Sequence, residues 1–311
     1  MENTKHAKKR PGGLPKKRGD IGFNVINTII WVLVLLLILY PLWLVVIASV
    51  SDAEAIFAGQ VFLWPVNFSL VGYEAVFQHD EFVRSFLNSV YYTVVGTAIS
   101  VFITLAAAYA LSCNFRGRKF ITFYFIFTMF FTGGLIPQFL VNQRLGLYDT
   151  MTLMIIINCV SIWNLIITRT FISTSIPKEL YEAAVVDGAN HFIYFFRMIL
   201  PLSGTIIAVL CIFYGVARWN DYFTGLVYIM DNSKMPLQTV LRRLVASTEA
   251  SGSMDAMYEF FGDASSRAER MRLAEVVKYS SIVVSSVPVI VLYLAMQKFF
   301  VKGVTLGSLK G

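Results

Sequence analysis

Charge is what this sequence has least of. Asp, Glu, Lys and Arg together make up 14% of its 311 residues, whereas hydrophobic residues make up 57% and the mean hydropathy is +0.65. So little polar surface cannot cover a water-soluble globule of this size, which puts the chain in a membrane. Cysteine is scarce as well. Cys113, Cys159 and Cys211 fall in or at the ends of apolar runs, and none sits where an external disulfide framework would need it. The histidines, His6, His79 and His191, are scattered, with no His/Cys/Glu spacing that resembles a metal site. A Gly-rich phosphate loop of the Walker type is missing, so any nucleotide energy must come from another chain. No Ser/His pair lies in adjoining apolar runs, which removes the pattern an intramembrane enzyme requires. No catalytic residues are expected.

Long apolar runs are present instead. A bilayer core needs roughly 20 apolar residues per helix, and six runs qualify, at about 26–50, 86–111, 120–141, 151–172, 202–222 and 276–297. Helices are expected, because every backbone polar group in hydrocarbon must be satisfied within its own segment. The fold class is therefore all-α, a polytopic membrane protein with six transmembrane helices.

The basic residues set the orientation. Lys5, Lys8, Lys9, Arg10, Lys16, Lys17 and Arg18 precede the first run, whereas residues 51–82 contain no Lys or Arg and carry Asp52, Glu54, Glu74, Asp80 and Glu81. By the positive-inside rule the amino terminus, residues 1–25, is cytoplasmic. Six crossings then put Arg116, Arg118 and Lys119 inside, the 142–150 loop outside and the tail 298–311, with Lys298, Lys302 and Lys310, inside. The first run is about 25 residues long and has no clear cleavage site, which favours an uncleaved span over a signal peptide. The net charge of +7 sits in these flanks, and no basic stripe interleaved with aromatics points to nucleic acid.

Residues 173–201 form a cytoplasmic connection of unusual composition. Ser173, Thr174 and Ser175 are capping types, Pro177 suits a first helical turn, and Glu179 and Glu182 complement the positive end of a helix dipole. Ala183 and Ala184 give that short helix a smooth outward face. Gly188 permits a sharp turn. Phe192, Phe195, Phe196 and Ile199 recur at helical spacing and make a second short helix with an apolar side toward the bundle, which Pro201 ends.

The order of these residues resembles a known loop. Glu182, Ala183, Ala184, three residues, Gly188, nine residues and then Met198, Ile199, Leu200 and Pro201 is similar to the EAA loop of ABC import permeases, with Met198 where Ile is usual. "WNDYF" at 219–223, "MPLQTVLR" at 235–242 and "QKFFVKGVTLGSLKG" at 297–311 resemble the carbohydrate-uptake, maltose-type branch. "FFTGGLIPQFL" at 130–140 and "SIWNLIITRTF" at 161–171 resemble its oligosaccharide subgroup. The likeness runs from residue 22 onward.

This resemblance implies a type I ABC importer permease in a bacterial cell membrane, paired with a second homologous permease, two ATPase subunits and an extracellular sugar-binding protein. ATP and Mg would be bound by the ATPase subunits, with no cofactor in this chain. Glu182, Ala183, Ala184, Asp187, Gly188 and Pro201 are its expected ATPase-coupling residues. Polar groups inside spans usually face a cavity or the bundle interior, and sugars suit aromatic rings beside amides. Asn88, Trp163, Asn164, Trp219, Asn220, Asp221 and Tyr222 are therefore candidate pathway residues for an oligosaccharide, with Asn158 a further one. Arg169 is expected to snorkel to the headgroups. The 229–275 stretch is expected outside, with "STEASGSMD" at 247–255 as a flexible connection between two helical pieces. The competing function is a secondary transporter of a small solute, against which stands the lack of a proton or sodium relay in the spans.

Overall fold

The computed structural model describes residues 18–249 and 267–308, and the described residues form helices and no strands. In chain order these are α1 (Arg18–Ser49), α2 (Ala53–Phe57), α3 (Val71–Gln78), α4 (Asp80–Ser112), α5 (Arg118–Phe130), α6 (Leu135–Arg144) and α7 (Met151–Ile156). They continue with α8 (Ile162–Ser175), α9 (Lys178–Val186), α10 (His191–Leu202), α11 (Gly204–Trp219), α12 (Phe223–Tyr228), α13 (Leu237–Glu249) and α14 (Arg267–Ser308).

Three of these helices, Gly22–Ser49, Asp80–Ser112 and Arg272–Gln297, are long and apolar enough to cross a membrane, and five crossings result if each of two bent pairs counts as one. The expected run 120–141 is a bent pair, α5 and α6 meeting at 113°. Its break falls at Gly133 and Gly134, the latter at φ +85°, and Pro137 then occupies the first turn of α6, where its missing N–H costs nothing. The expected run 151–172 is α7 and α8, neither long enough alone. Asn158 is left-handed at φ +53°, and the Ser161 hydroxyl caps α8 by accepting from the Asn164 N–H.

The centre of the bundle is α4, against which α7, α8, α11 and α13 pack, while α14 holds α1, α3, α11 and α13 together. A close approach brings α3 onto α14: a Cβ at Gly72 would collide with the Ser280 hydroxyl and Val276. The apolar window of α1 is unburied, as expected of a surface that faces lipid or a partner chain. At its other end Ile47 and Ala48 pack with Ala55 and Val61.

The α7/α8 break brings irregular backbone into the bundle, where it must find partners within the protein. Arg218, near the end of α11, supplies them. Its guanidinium donates to the Met154 carbonyl (2.9 Å), the Ile157 carbonyl (3.5 Å) and the Ser100 hydroxyl (3.0 Å). Tyr214, one helical turn earlier, accepts from the Ser161 N–H (3.0 Å) and bonds Thr104 on α4 (2.7 Å). Gly96 makes room, since a Cβ there would lie 2.7 Å from guanidinium atoms.

One expectation is corrected. Arg169 does not reach outward: its Nε donates to the Leu111 carbonyl (3.2 Å), at the last turn of α4, where a cation complements the helix dipole. Helical pieces lie on both sides of the expected flexible connection in the 229–275 stretch. Helix α13 buries Leu237, Val240, Leu241 and Leu244, and α14 begins at Arg267. Residues 1–17, residues 250–266, which include 250–255 of the expected flexible connection, and residues 309–311, including Lys310, lie outside the described residues.

Replacing Arg218 by Met leaves carbonyls of the break unpaired at a cost of about 1–3 kcal/mol each. The expected outcome is a melting temperature several degrees lower for the detergent-purified chain, with Arg218→Lys intermediate because it lacks the planar fork. A Met variant as stable as the parent would show that the break is satisfied otherwise.

Candidate functional site

The helix, turn and helix expected between residues 173 and 201 is present as α9, the turn at Gly188, and α10. Serines 173 and 175 and Thr174 belong to α8 and do not cap α9, whose N-cap is Pro177; Thr174 instead donates to the Thr170 carbonyl. The turn is locked by two backbone bonds, Gly188 N–H to Val185 O (3.0 Å) and Ala189 N–H to Ala184 O (2.8 Å). With Gly188 at φ +78° this is a Schellman motif, a C-terminal stop that favours glycine. The Asn190 side chain then caps α10 by accepting from the Ile193 N–H (2.9 Å).

The faces differ from the expected ones. Glu182, Ala183, Val185, Val186 and Asp187 are exposed, but Ala184 is buried among Tyr194, Phe195, Ile199 and their neighbours. The outward ridge is therefore Glu182 and Ala183 with two valines. Phe195 and Ile199 point inward as expected, whereas Phe192 is 76% exposed and Phe196 is half-exposed, because the π-helical stretch Phe195–Ile199 rotates the register of α10. Pro201 lies in the last turn of α10, and the chain bends by 78° into α11.

An aromatic seat fixes this unit to the end of α4. His191 Nδ1 is 2.8 Å from the Tyr109 hydroxyl, Tyr181 stacks on His191 at 5.6 Å between ring centroids, and Tyr194 meets Tyr181 edge-on at 5.2 Å. A cavity of about 640 Å³ opens beside it, lined by Cys113, Pro177, Lys178, Glu182 and His191 among others. Glu182 has no ion pair among the described residues.

The candidate pathway residues separate into two groups. Trp219 is 4% exposed and donates from Nε1 to the Ser285 carbonyl (2.8 Å), and Phe86 packs edge-on against it. The Asn88 amide donates to the Ser233 and Met235 carbonyls (2.9 and 3.1 Å). Asp221 accepts from the Thr224 N–H, Asn164 is buried, and Trp163 is exposed on the outer side of α8. The structure thus joins Trp219 and Asn88 to packing, while Asn220 and Tyr222 line an open groove with Gln238, Arg242, Ser285 and Ser286. Asn158 lies in the α7/α8 break. Residue-type reasoning passed over Arg218, although a cation inside "CIFYGVARWN" is costly enough in a membrane to mark it. Arg242 had no such signal, since it sits in a polar stretch.

Just before α13 the 229–236 stretch is fastened to its neighbours. Asp149 Oδ1 accepts from the N–H groups of Met230 and Asp231 (3.1 Å each), and Lys234 Nζ donates to the Asp149 carbonyl (2.9 Å) and lies 3.4 Å from its carboxylate. Partial burial works against ionisation of Asp149, but those two N–H groups and the Lys234 ammonium outweigh it and hold the carboxyl below its ordinary 3.8. Among the described residues no group of three His, Cys, Asp or Glu side chains could hold a metal.

An all-helical membrane bundle with a rigid exposed helix-turn-helix at one end is the architecture of a permease subunit. No family model matches the chain. The polygalacturonan/rhamnogalacturonan transport system permease protein YtcP of Bacillus subtilis (strain 168) is 39% identical over 278 residues, 89% of this chain and 94% of its own. Protein LplC of the same organism is 37% identical over 271 residues, 86% of this chain and 88% of its own. A solved chain from a bacterial ABC transporter involved in the import of the acidic polysaccharide alginate superposes with a TM-score of 0.83 at 30% identity, over 93% of this chain and all of that one. The chain belongs to the family of carbohydrate-uptake ABC transporter permeases. Such permeases are integral membrane transport subunits, not enzymes, and the ATPase activity lies in separate subunits. A secondary transporter is not favoured.

Gly188→Val strains a left-handed turn by about 1–2 kcal/mol, so the Ala189 amide should exchange with solvent about ten-fold faster while amides of α4 are unchanged. Because the folded Asp149 carboxyl ionises more readily than an ordinary one, the Lys234 clasp is complete above that ordinary value and opens as pH falls through the lower folded one. An NMR titration of Asp149 should show a midpoint below 3.8, and one above it would mean that the clasp is open.

Proposed function

We propose that this chain forms one half of the translocation pore of an oligosaccharide importer and that α9 and the Gly188 turn are its contact with the ATPase. In this reading a second homologous permease completes the pore, two ATPase subunits bind ATP and Mg, and an extracellular sugar-binding protein delivers the substrate. The α9/α10 unit and both chain termini are cytoplasmic, and the 229–275 stretch is on the opposite side. The basic flank at 5–18 and the acidic stretch at 51–82 support that orientation.

One observation carries the coupling role: an unpaired Glu182 stands on a helix whose end is locked by a Schellman motif and whose base is seated through His191 on Tyr109 of α4. A helix held this firmly transmits a push as a rigid body. Glu182 offers an anion to a basic residue of the ATPase, Ala183 lets the surfaces close, Ala184 seats the helix from beneath, Asp187 and Gly188 form its stop, and Pro201 marks the passage into α11. Coupling then requires contacts that differ in energy between the pore's two states. For the pathway, Asn220 and Tyr222 line the groove with Asp221 between them in the chain, Trp219 braces it through the Ser285 carbonyl, and Asn88, Trp163 and Asn164 are proposed pathway residues elsewhere in the bundle. The names of two relatives, for polygalacturonan/rhamnogalacturonan and for alginate, support a carboxylate-bearing oligosaccharide as the substrate.

Glu182→Lys tests the coupling role. Placing a second Lys four residues after Lys178 costs the helix only about 0.5 kcal/mol, so the purified chain should elute and melt as the parent does. ATP-driven uptake by the assembled importer should fall to background. Robust uptake by this variant would remove Glu182 from the contact.

A further inference from the structure

At the end of α11 away from the coupling turn, Asn220 and Tyr222 face a groove of about 480 Å³ closed on its other side by α13 and the middle of α14. That volume lies within the roughly 300–1,000 Å³ typical of small-molecule sites. Its walls are held rigidly. The Thr239 hydroxyl donates to the Tyr222 carbonyl (2.9 Å), and the Leu237 N–H donates to Ser89 on α4 (2.7 Å).

The Ser285 and Ser286 hydroxyls of the groove donate to the Ile282 carbonyl (3.0 and 2.7 Å), but three other polar groups are idle. The Arg242 guanidinium and the side-chain amides of Asn220 and Gln238 make no hydrogen bond or ion pair among the described residues, whereas the neighbouring Arg243 is occupied by Asn232 (3.1 Å). Among the described residues no carboxylate lines the groove. The remaining lining is hydroxyl, aromatic and aliphatic, with Ser285 and Ser286 beside the half-exposed ring of Tyr222. A lone cation with a planar donor fork matches a carboxylate in two parallel bonds. Amides beside it match sugar hydroxyls, and an aromatic ring matches the apolar face of a pyranose.

We infer that this groove is a subsite for a uronate residue of the transported saccharide, in which Arg242 reads the carboxylate and Asn220 and Gln238 hold ring hydroxyls. The inference rests on the oligosaccharide-import reading and assigns to α13, outside every motif quoted above except "MPLQTVLR", the part of the chain that discriminates charge.

The test is ATP-driven uptake of trigalacturonate, and of the same trisaccharide with its carboxyl groups reduced to alcohols, by the complete importer in proteoliposomes. A charge-assisted contact of about 1.5–3 kcal/mol predicts a rise in KM for trigalacturonate of at least about ten-fold in Arg242→Gln. Arg242→Lys, which keeps the charge but loses the planar fork, should fall between the parent and Arg242→Gln, and uptake of the reduced saccharide should be unchanged in both. An unchanged KM in Arg242→Gln, equal losses for both saccharides, or a Lys variant no better than Gln would overturn the subsite and leave the import reading standing. A parent importer that hydrolyses ATP but moves neither saccharide would instead overturn the reading on which the subsite depends.

Discussion

Satisfying backbone polar groups away from water is the constraint from which most of this structure follows. At the α7/α8 break the chain gives up helical hydrogen bonds in the interior of the bundle, and Arg218 and Tyr214 of α11 replace them. The same two side chains also bond Ser100 and Thr104 of α4. Three helices are thereby fixed in register by a guanidinium and a phenol one turn apart. Gly96 is part of the same device, since only a residue without a side chain lets the guanidinium approach α4 so closely.

That register links the two ends of the molecule. Helix α11 is 16 residues long, about 24 Å at 1.5 Å per residue. It begins at the bend that follows the Gly188 turn and α10, and it ends at Asn220 and Tyr222 in the groove. The bundle therefore holds, in a single short helix, the mechanical connection between the proposed ATPase contact and the proposed sugar subsite. Packed elements of this kind move as units between discrete arrangements, which is what alternating access needs.

Much of the fold was legible in the composition and in breaker residues. Three of the six apolar runs are single long helices and two are bent pairs, and the Gly133–Gly134 pair with Pro137 explains one of the bends. Glu182, the Gly188 turn and Pro201 could be read from their order because a turn with positive φ, a helix stop and a helix bend each have strong residue preferences. The direction of Ala184, Phe192 and Phe196 could not. It depends on a π-helical stretch in α10 and on the seat offered by Tyr109, a residue more than 80 positions away from His191 in its contact.

The sequence by itself determined that this is a membrane-embedded helical protein and which segment forms its exposed turn, because hydropathy and backbone conformational preference are local properties of residues. Only the tertiary structure decided that Trp219 and Asn88 serve packing, that Arg218 completes a broken helix, and that Arg242 stands beside Asn220 and Tyr222 without a partner among the described residues. Those assignments turn on which polar group meets which across the bundle, and a hydrogen bond between distant segments leaves no trace in the spacing of either one.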